Sequence, residues 1–235
     1  MSDLTSVLEE LRGLGKESYR KVMLRHGAGE PCYGVKIEDL KRLLKRTGKD
    51  HELALKLYDS GIYDARYLAG LMVDDARMTK ADLDHWVSTA CGPLAGSMVP
   101  NLAAGSPAGW VCALEWLESE RSLVAAAGWT AMASLVSVIR DEALDLTKLR
   151  ALLDRVEKSL HHAPNDVRYA MNQFVICVAC YVLPMSGEAK GVAERIGRVS
   201  VDMGETACQV PYAPEAIRKV EQRGGVGKKR KSAKC

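Results

Sequence analysis

Along most of the chain, apolar residues recur at three- and four-residue steps with polar ones between, the period of helices that bury one face. The stretch 165–182, NDVRYAMNQFVICVACYV, carries the pattern furthest. Val167, Ala170, Met171, Phe174, Val178 and Tyr181 fall on one side of it, and Arg168, Tyr169, Asn172 and Gln173 lie off that stripe. Arg168 and Asn172 are i,i+4 neighbours, so their side chains converge on one patch. Beyond Phe174 almost nothing is polar. A helix that is apolar all round has to be covered on both sides, which places partner helices before and after it.

The same periodicity predicts helices over residues 4–14, 18–26, 36–46, 51–58 and 63–72, one containing Leu83 and Trp86, and further helices over 94–104, 106–117, 121–140, 147–161, 186–198 and 214–222. Their ends carry recognisable signals. Gly48 stops one helix, Asp50 caps the next, Thr79 with Asp82 three residues on makes a capping-box-like start, and Gly92 with Pro93 breaks the helix that follows. Residues 199–211, VSVDMGETACQVP, alternate weakly and read as a small hairpin or an irregular cap. Three segments, ARYLAG, LVAAAG and VRYAMN, share a polar start followed by small residues. The spacing between helix pairs is near the roughly 40-residue period of HEAT-type repeats. The expectation is an all-α, C-shaped, HEAT-like or armadillo-type solenoid (an α-α superhelix) over residues 1–222. In such arrays the second helix of each pair lines the concave surface, which makes Arg66, Arg168, Tyr169 and Asn172 candidates to face a bound partner. The competing reading gives Arg168 a salt bridge within the preceding repeat, through Asp166 or a neighbour.

Composition supports helices and narrows the setting. One Phe, four Trp and eight Tyr stand among 47% hydrophobic residues in a 235-residue chain, enough for a buried core and poor in β-formers. No 18-residue apolar run exists and the first 16 residues are charged and amphipathic, so a soluble cytoplasmic protein with no membrane partner is expected, as a monomer. Seven scattered cysteines argue for reduced thiols over a disulfide framework. The net charge of +3 hides an asymmetry: Arg223, Lys228, Lys229, Arg230, Lys231 and Lys234 follow residue 222 with no acid among them, leaving residues 1–222 at −3. Affinity for a polyanion would therefore come from a local patch and from the basic segment 223–235, read as a flexible tail, rather than from a uniformly positive surface.

Candidate chemistry adds little. Cys177 and Cys180 form a lone CxxC in the middle of an apolar helix, without the second pair or histidines that zinc needs, and read as core cysteines. His161 and His162 sit at a helix C-terminus, where they complement its dipole. Asp202, Glu205 and Cys208 make a poor ligand set without a nearby His, so no metal is expected. GGVGKKRK has glycines and lysines but neither a preceding strand nor a Ser or Thr after Gly-Lys, so no phosphate loop and no cofactor are expected. Trp86, Trp110, Trp116 and Trp129 fall in helices, where core packing is the default and an exposed stacking surface the rarer alternative.

The paired helices, the GVKIEDL entry to the third helix, the DVRYAMNQF helix and the basic C-terminus together resemble the DNA alkylation repair family of HEAT-like proteins, to which the AlkD-like alkylpurine DNA glycosylases belong. That resemblance implies a C-shaped stack whose positive concave groove holds duplex DNA by its backbone. It also implies, for active members, a Trp-x-x-x-Asp motif, an Arg on a later second helix and a further Trp around the lesion. Residues 86–100, where the motif is expected, read WVSTACGPLAGSMVP and hold no carboxylate. The Arg position falls at or beside Ala125 and the last Trp near Phe174. Trp110 or Trp129 is the candidate to stack on a lesion base, and Glu115, Glu118 and Glu120 are the nearest acids. Without a carboxylate near the sugar, excision loses an electrostatic stabiliser of the oxocarbenium-like transition state.

The expected function is therefore DNA binding without base excision, by backbone and shape contacts to duplex, branched or distorted DNA, as the resemblance implies for non-excising members of the family. Arg66, Arg168, Tyr169, Asn172, Lys228, Lys229, Arg230 and Lys231 are the expected contacts. The alternatives are an alkylpurine glycosylase acting on cationic methylated purines and a protein-binding scaffold. A flexible tail also implies that deleting residues 224–235 leaves stability almost unchanged.

Overall fold

A computed structural model of the chain describes residues 3–204 and 208–234. The described residues form thirteen α-helices, with no strand among them. Helices α1 (Leu4–Leu14), α2 (Glu17–Arg25) and α3 (Ile37–Thr47) open the array. Five pairs follow. They are α4 (His51–Asp59) with α5 (Tyr63–Met72), α6 (Lys80–Thr89) with α7 (Val99–Gly105), α8 (Gly109–Trp116) with α9 (Ser122–Val138), α10 (Leu146–Ser159) with α11 (Asn165–Tyr181), and α12 (Ser186–Ile196) with α13 (Ala213–Gln222). A π-helical turn, Leu94–Met98, leads directly into α7.

Helix starts follow the cap chemistry of the sequence. Asp3, Asp50 and Asp145 each accept the N–H three residues on, from Ser6, Leu53 and Lys148. Thr79 and Asp82 form a full capping box in which each side chain accepts the other's backbone N–H. Gly48, at φ +80°, ends α3 in a conformation that side chains with a Cβ avoid.

The second helices stack on one another in a row: α5 on the π-helical turn, α7 on α9, α9 on α11 and α11 on α13. The first helices form a second row, with α6 against α8 and α10 against α12. This is the helical-repeat solenoid the apolar periodicity predicts. At its centre, α9 buries thirteen of its seventeen residues, so it is covered from both sides. The run Ala125–Gly128 makes that close packing feasible: a Cβ on Gly128 would lie 2.7 Å from the Leu117 nitrogen and 2.9 Å from the Ala113 carbonyl oxygen of α8.

Side-chain bonds mark the period. Ser134 Oγ donates to Asn101 Oδ1, Trp116 Nε1 to Asp84, Arg155 to Glu118 and Arg195 to Glu157, joining residues 33, 32, 37 and 38 apart. Equivalent positions in neighbouring repeats are thus bonded at slightly less than 40 residues. At the front of the array, buried Asp64 accepts the Tyr33 and Val35 N–H groups at 2.5 and 2.7 Å, which fixes the loop before α3 on the start of α5.

One segment takes the irregular one of its two expected forms, and another differs from expectation. Residues 199–204 and 208–212 contain no hairpin; Asn165 anchors them by donating to the Asp202 carbonyl at 2.6 Å and accepting the Asp202 N–H at 2.8 Å. Residues 205–207, including Glu205, lie outside the described residues. The basic segment read as a flexible tail lies against the helices: the Gly227 N–H donates to the Cys180 carbonyl, the Arg230 N–H to the Ser137 carbonyl, and Ala233 is buried. Lysines rich enough to suggest solvation are held here because helix ends and carboxylates stand opposite them.

Candidate nucleic-acid interface

The row of second helices carries a continuous trough. Its first half, a cleft of about 340 Å³, is lined by Leu123, Ala126 and Thr130 of α9, by Tyr169 and Ala170 of α11, and by Arg25 and His26 at the end of α2. Its second half, about 270 Å³, is lined by Asn101, by Thr130, Ala133, Ser134 and Ser137 of α9, by Gln173 and Cys177 of α11, and by Arg230. Thr130 belongs to both halves. Small and uncharged side chains therefore floor the trough, and cations stand at its two ends. Asp166 and Asp202 share the end near Arg25. Neither α7 nor α9 carries a carboxylate anywhere.

Of the residues expected to contact DNA, Tyr169 is placed in the trough, with 36% of its surface exposed. Two others are committed elsewhere and a third does not line the trough. Asn172 is 1% exposed and donates through Nδ2 to the Pro211 carbonyl at 2.9 Å, so it anchors the segment before α13 instead of facing a ligand. Arg66 lies over the Tyr58 ring and donates to the Tyr58 and Thr89 carbonyls, which joins the ends of α4 and α6. Arg168 is half-buried, with its Nε enclosed and without a hydrogen bond, and it makes no salt bridge to Asp166. The helical spacing put Asn172 beside Arg168, but the side of α11 that carries Asn172 meets the segment before α13.

The tail residues separate in the same way. Lys228, Arg230 and Lys231 are exposed, whereas Lys229 is half-buried and paired with Asp141 at 2.7 Å. Trp129 is fully buried, with its ring centroid 5.2 Å from that of Phe174, so it is core and not a stacking platform. Trp110 is half-buried against the core. Ala125, at the expected Arg position, faces a different hollow, shared with Trp129, Arg155 and Glu120. Glu115 and Glu118 are held by Lys80 and Arg155.

Burial pushes the Cys177 thiol up to about 12 and the Cys180 thiol to about 11, which removes the thiolate that redox or metal chemistry needs. Among the described residues no three His, Cys, Asp or Glu side chains come together as a metal site. Among them also, no single helix is long and apolar enough to cross a membrane.

Sequence reasoning missed Arg25, His26, Asn101, Thr130 and Ser134. The one available signal was the 33-residue spacing of Asn101 and Ser134, which matches the repeat. It also left the basic front end, with five Lys or Arg on the polar face of the helix over 36–46, out of the expected contacts. Residues 1–49 hold eleven Lys or Arg against seven Asp or Glu, and Lys41, Lys45 and Lys49 form an exposed i, i+4, i+8 stripe with no ion pair among the described residues.

A family model described as DNA alkylation repair enzyme matches residues 7–179. Two curated relatives, both uncharacterized proteins, come from Listeria innocua and Listeria monocytogenes; each is 30% identical over 221 residues, covering 91% of this chain and 95% of the relative. A solved structure from a new family of proteins related to the HEAT-like repeat DNA glycosylases, with affinity for branched DNA structures, is 33% identical, covers 100% of both chains and superposes with a TM-score of 0.87.

Proposed function

Since the chain belongs to the DNA alkylation repair enzyme family, we propose that it is a DNA-binding member that holds branched or distorted duplex by backbone and shape, without excising bases. The observation that carries this reading is the trough: a floor of Ala126, Thr130, Ala133, Ser134 and Ser137 with no carboxylate, between Arg25 with His26 at one end and Arg230 at the other. Small neutral side chains let a sugar-phosphate chain approach the helix backbones, and cations at two separated places hold phosphates without reading bases. A bent or branched duplex presents phosphates at both ends of such a trough more readily than a straight one. The affinity for branched DNA of the similar solved structure points the same way. Base excision needs charge stabilisation at the sugar, and no carboxylate stands on α7 or α9 in the middle of the trough; Asp166 and Asp202 lie only at the Arg25 end. The protein-binding scaffold fits less well, because Arg230 at one end, Arg25 beside Asp166 and Asp202 at the other, and a floor of small uncharged residues offer no broad apolar face for a peptide.

Electrophoretic binding to four-way junction, duplex and single-stranded DNA tests the reading. Junction DNA should bind tightest and lose affinity steeply with salt. Thr130→Glu, which puts a carboxylate on the half-exposed shared floor position, should weaken binding at least about tenfold, the scale of a single charge repulsion of about 1.4 kcal/mol. Equal affinity for all three substrates, or full affinity in Thr130→Glu, would sink it. An excision assay on methylated duplex should release no base; release would return the chain to the glycosylase alternative.

A further inference from the structure

The basic residues after α13 are of two kinds. Lys229 Nζ donates to the Val136 carbonyl in the last turn of α9 at 2.8 Å and pairs with Asp141 at 2.7 Å. Lys234 Nζ donates to the Val73 carbonyl at the C-terminal end of α5 at 2.9 Å and pairs with Asp75 at 3.1 Å. Both ammonium groups therefore sit where a helix leaves carbonyls unpaired and its dipole is negative. The main chain is held as well, at Cys180 near the end of α11 through Gly227 and at Ser137 of α9 through Arg230. Gly227 has φ +78°, and a Cβ there would lie 3.3 Å from Leu183 Cβ, so the segment passes close over the α11 end. Residues 224–234 thus cross the C-terminal ends of α11, α9 and α5 in turn, and Lys234 joins positions 161 residues apart. Lys228, Arg230 and Lys231 remain exposed, with no carboxylate partner among the described residues.

We propose that residues 224–234 are a tie across the array, in which Lys229 and Lys234 are positioning residues that fix the span of the trough and hold Arg230 at its end. The tie stands on contacts within the chain; only its effect on affinity rests on the DNA reading. In a solenoid each repeat touches its neighbours alone, so small rotations between repeats add up to large changes in curvature. A segment that leaves the last pair and is anchored at the first, third and fourth pairs removes that freedom. The two lysines then contribute to binding through shape, not as phosphate contacts.

Asp141→Asn and Asp75→Asn, singly and together, test this because they remove the carboxylate charge from each anchor, leaving the Val136 and Val73 carbonyls and every tail cation in place. Asn at 141 can still accept the Leu183 N–H that Asp141 accepts at 3.1 Å. The double variant should keep its helical circular dichroism but melt lower. Trypsin should cut it within 228–231 about tenfold faster, as expected when local opening becomes that much more frequent. Its scattering radius should rise, and its affinity for junction DNA should fall while the slope of log K against log salt stays the same. Arg230→Gln should do the reverse, leaving the melting point alone and reducing the slope by about 0.9. Lys229→Arg with Lys234→Arg should behave like the parent chain. If the double variant resists trypsin like the parent and binds DNA as tightly or more tightly, the lysines are free phosphate contacts and the tie is refuted. Should the parent bind no DNA at all, the melting, protease and scattering results still decide the tie, so its failure is separable from that of the DNA reading.

Discussion

Asn172 shows how a side chain of the right type on the right helix can carry a different task. Its i,i+4 relation to Arg168 was legible, but the neighbour it would meet was not, because Pro211 lies 39 residues away across an irregular segment. Asn172→Ala should lower stability by about 1–3 kcal/mol through the stranded Pro211 carbonyl, read by urea denaturation, and should leave DNA affinity intact at temperatures where the protein is folded. Trp129 makes the same point for the aromatic residues. With the ring enclosed between Phe174 and the Arg155 guanidinium, Trp129→Ala should cost about 3–5 kcal/mol as a cavity. A DNA defect with unchanged stability would restore it as a stacking surface. The buried thiols are checkable without DNA. With Cys177 near 12, the thiolate fraction at neutral pH is negligible, so iodoacetamide at pH 7.5 should leave Cys177 unmodified in the native protein and label it after denaturation.

At the scale of elements, side chains from one helix cap the C-terminal ends of its neighbours. Arg66 reaches the Tyr58 and Thr89 carbonyls, Arg121 the Ser88 carbonyl and Arg155 the Leu117 carbonyl, while His161 Nε2 lies 2.9 Å from the Ile196 carbonyl. His161 therefore serves the end of α12, not of its own helix as the sequence suggested. Arg155 combines this contact with the Glu118 pair and the Trp129 face, so Arg155→Met should lower stability by about 1–2 kcal/mol, a loss that Arg155→Lys only partly restores. Gly128→Ala should destabilise by about 1–3 kcal/mol, because α8 and α9 have to separate to admit one methyl; an unchanged melting point would show the two helices to be looser than described. Most helix positions were legible to within two or three residues because each apolar stripe and cap is a local property, as with Asp50 and the Thr79–Asp82 pair; the π-helical turn before α7 was not. The face that α9 turns to the trough was not, since a helix buried nearly all round has no polar stripe to mark it. Nor were the interhelical caps, because which carbonyl an arginine reaches is decided by packing a full repeat away.

Charge is segregated along the whole molecule. The first 49 residues and the last 13 are basic, and the middle is acidic. The two basic ends reach the trough through Arg25 and Arg230, so DNA affinity should depend on both; neutralising Lys41, Lys45 and Lys49 should lower it if the front stripe lies along the DNA path, as measured by the salt slope. Deleting residues 224–235 should lower the melting point measurably, by the loss of two partly buried ion pairs and their carbonyl contacts, on the order of 2–4 kcal/mol in all. Composition alone pointed the other way, because lysines and glycines report solvation and say nothing of what stands opposite them. An open stack of repeats is a one-dimensional chain whose ends fray independently. With Lys234 on the end of α5, the segment that follows the last pair shares a boundary with the first pair, so opening either costs contacts of both. Amide hydrogen exchange at α5 and at α11 should then slow to nearly a common global rate, and the unfolding transition should be a single sharp step where an open array of this length would melt from its ends inward.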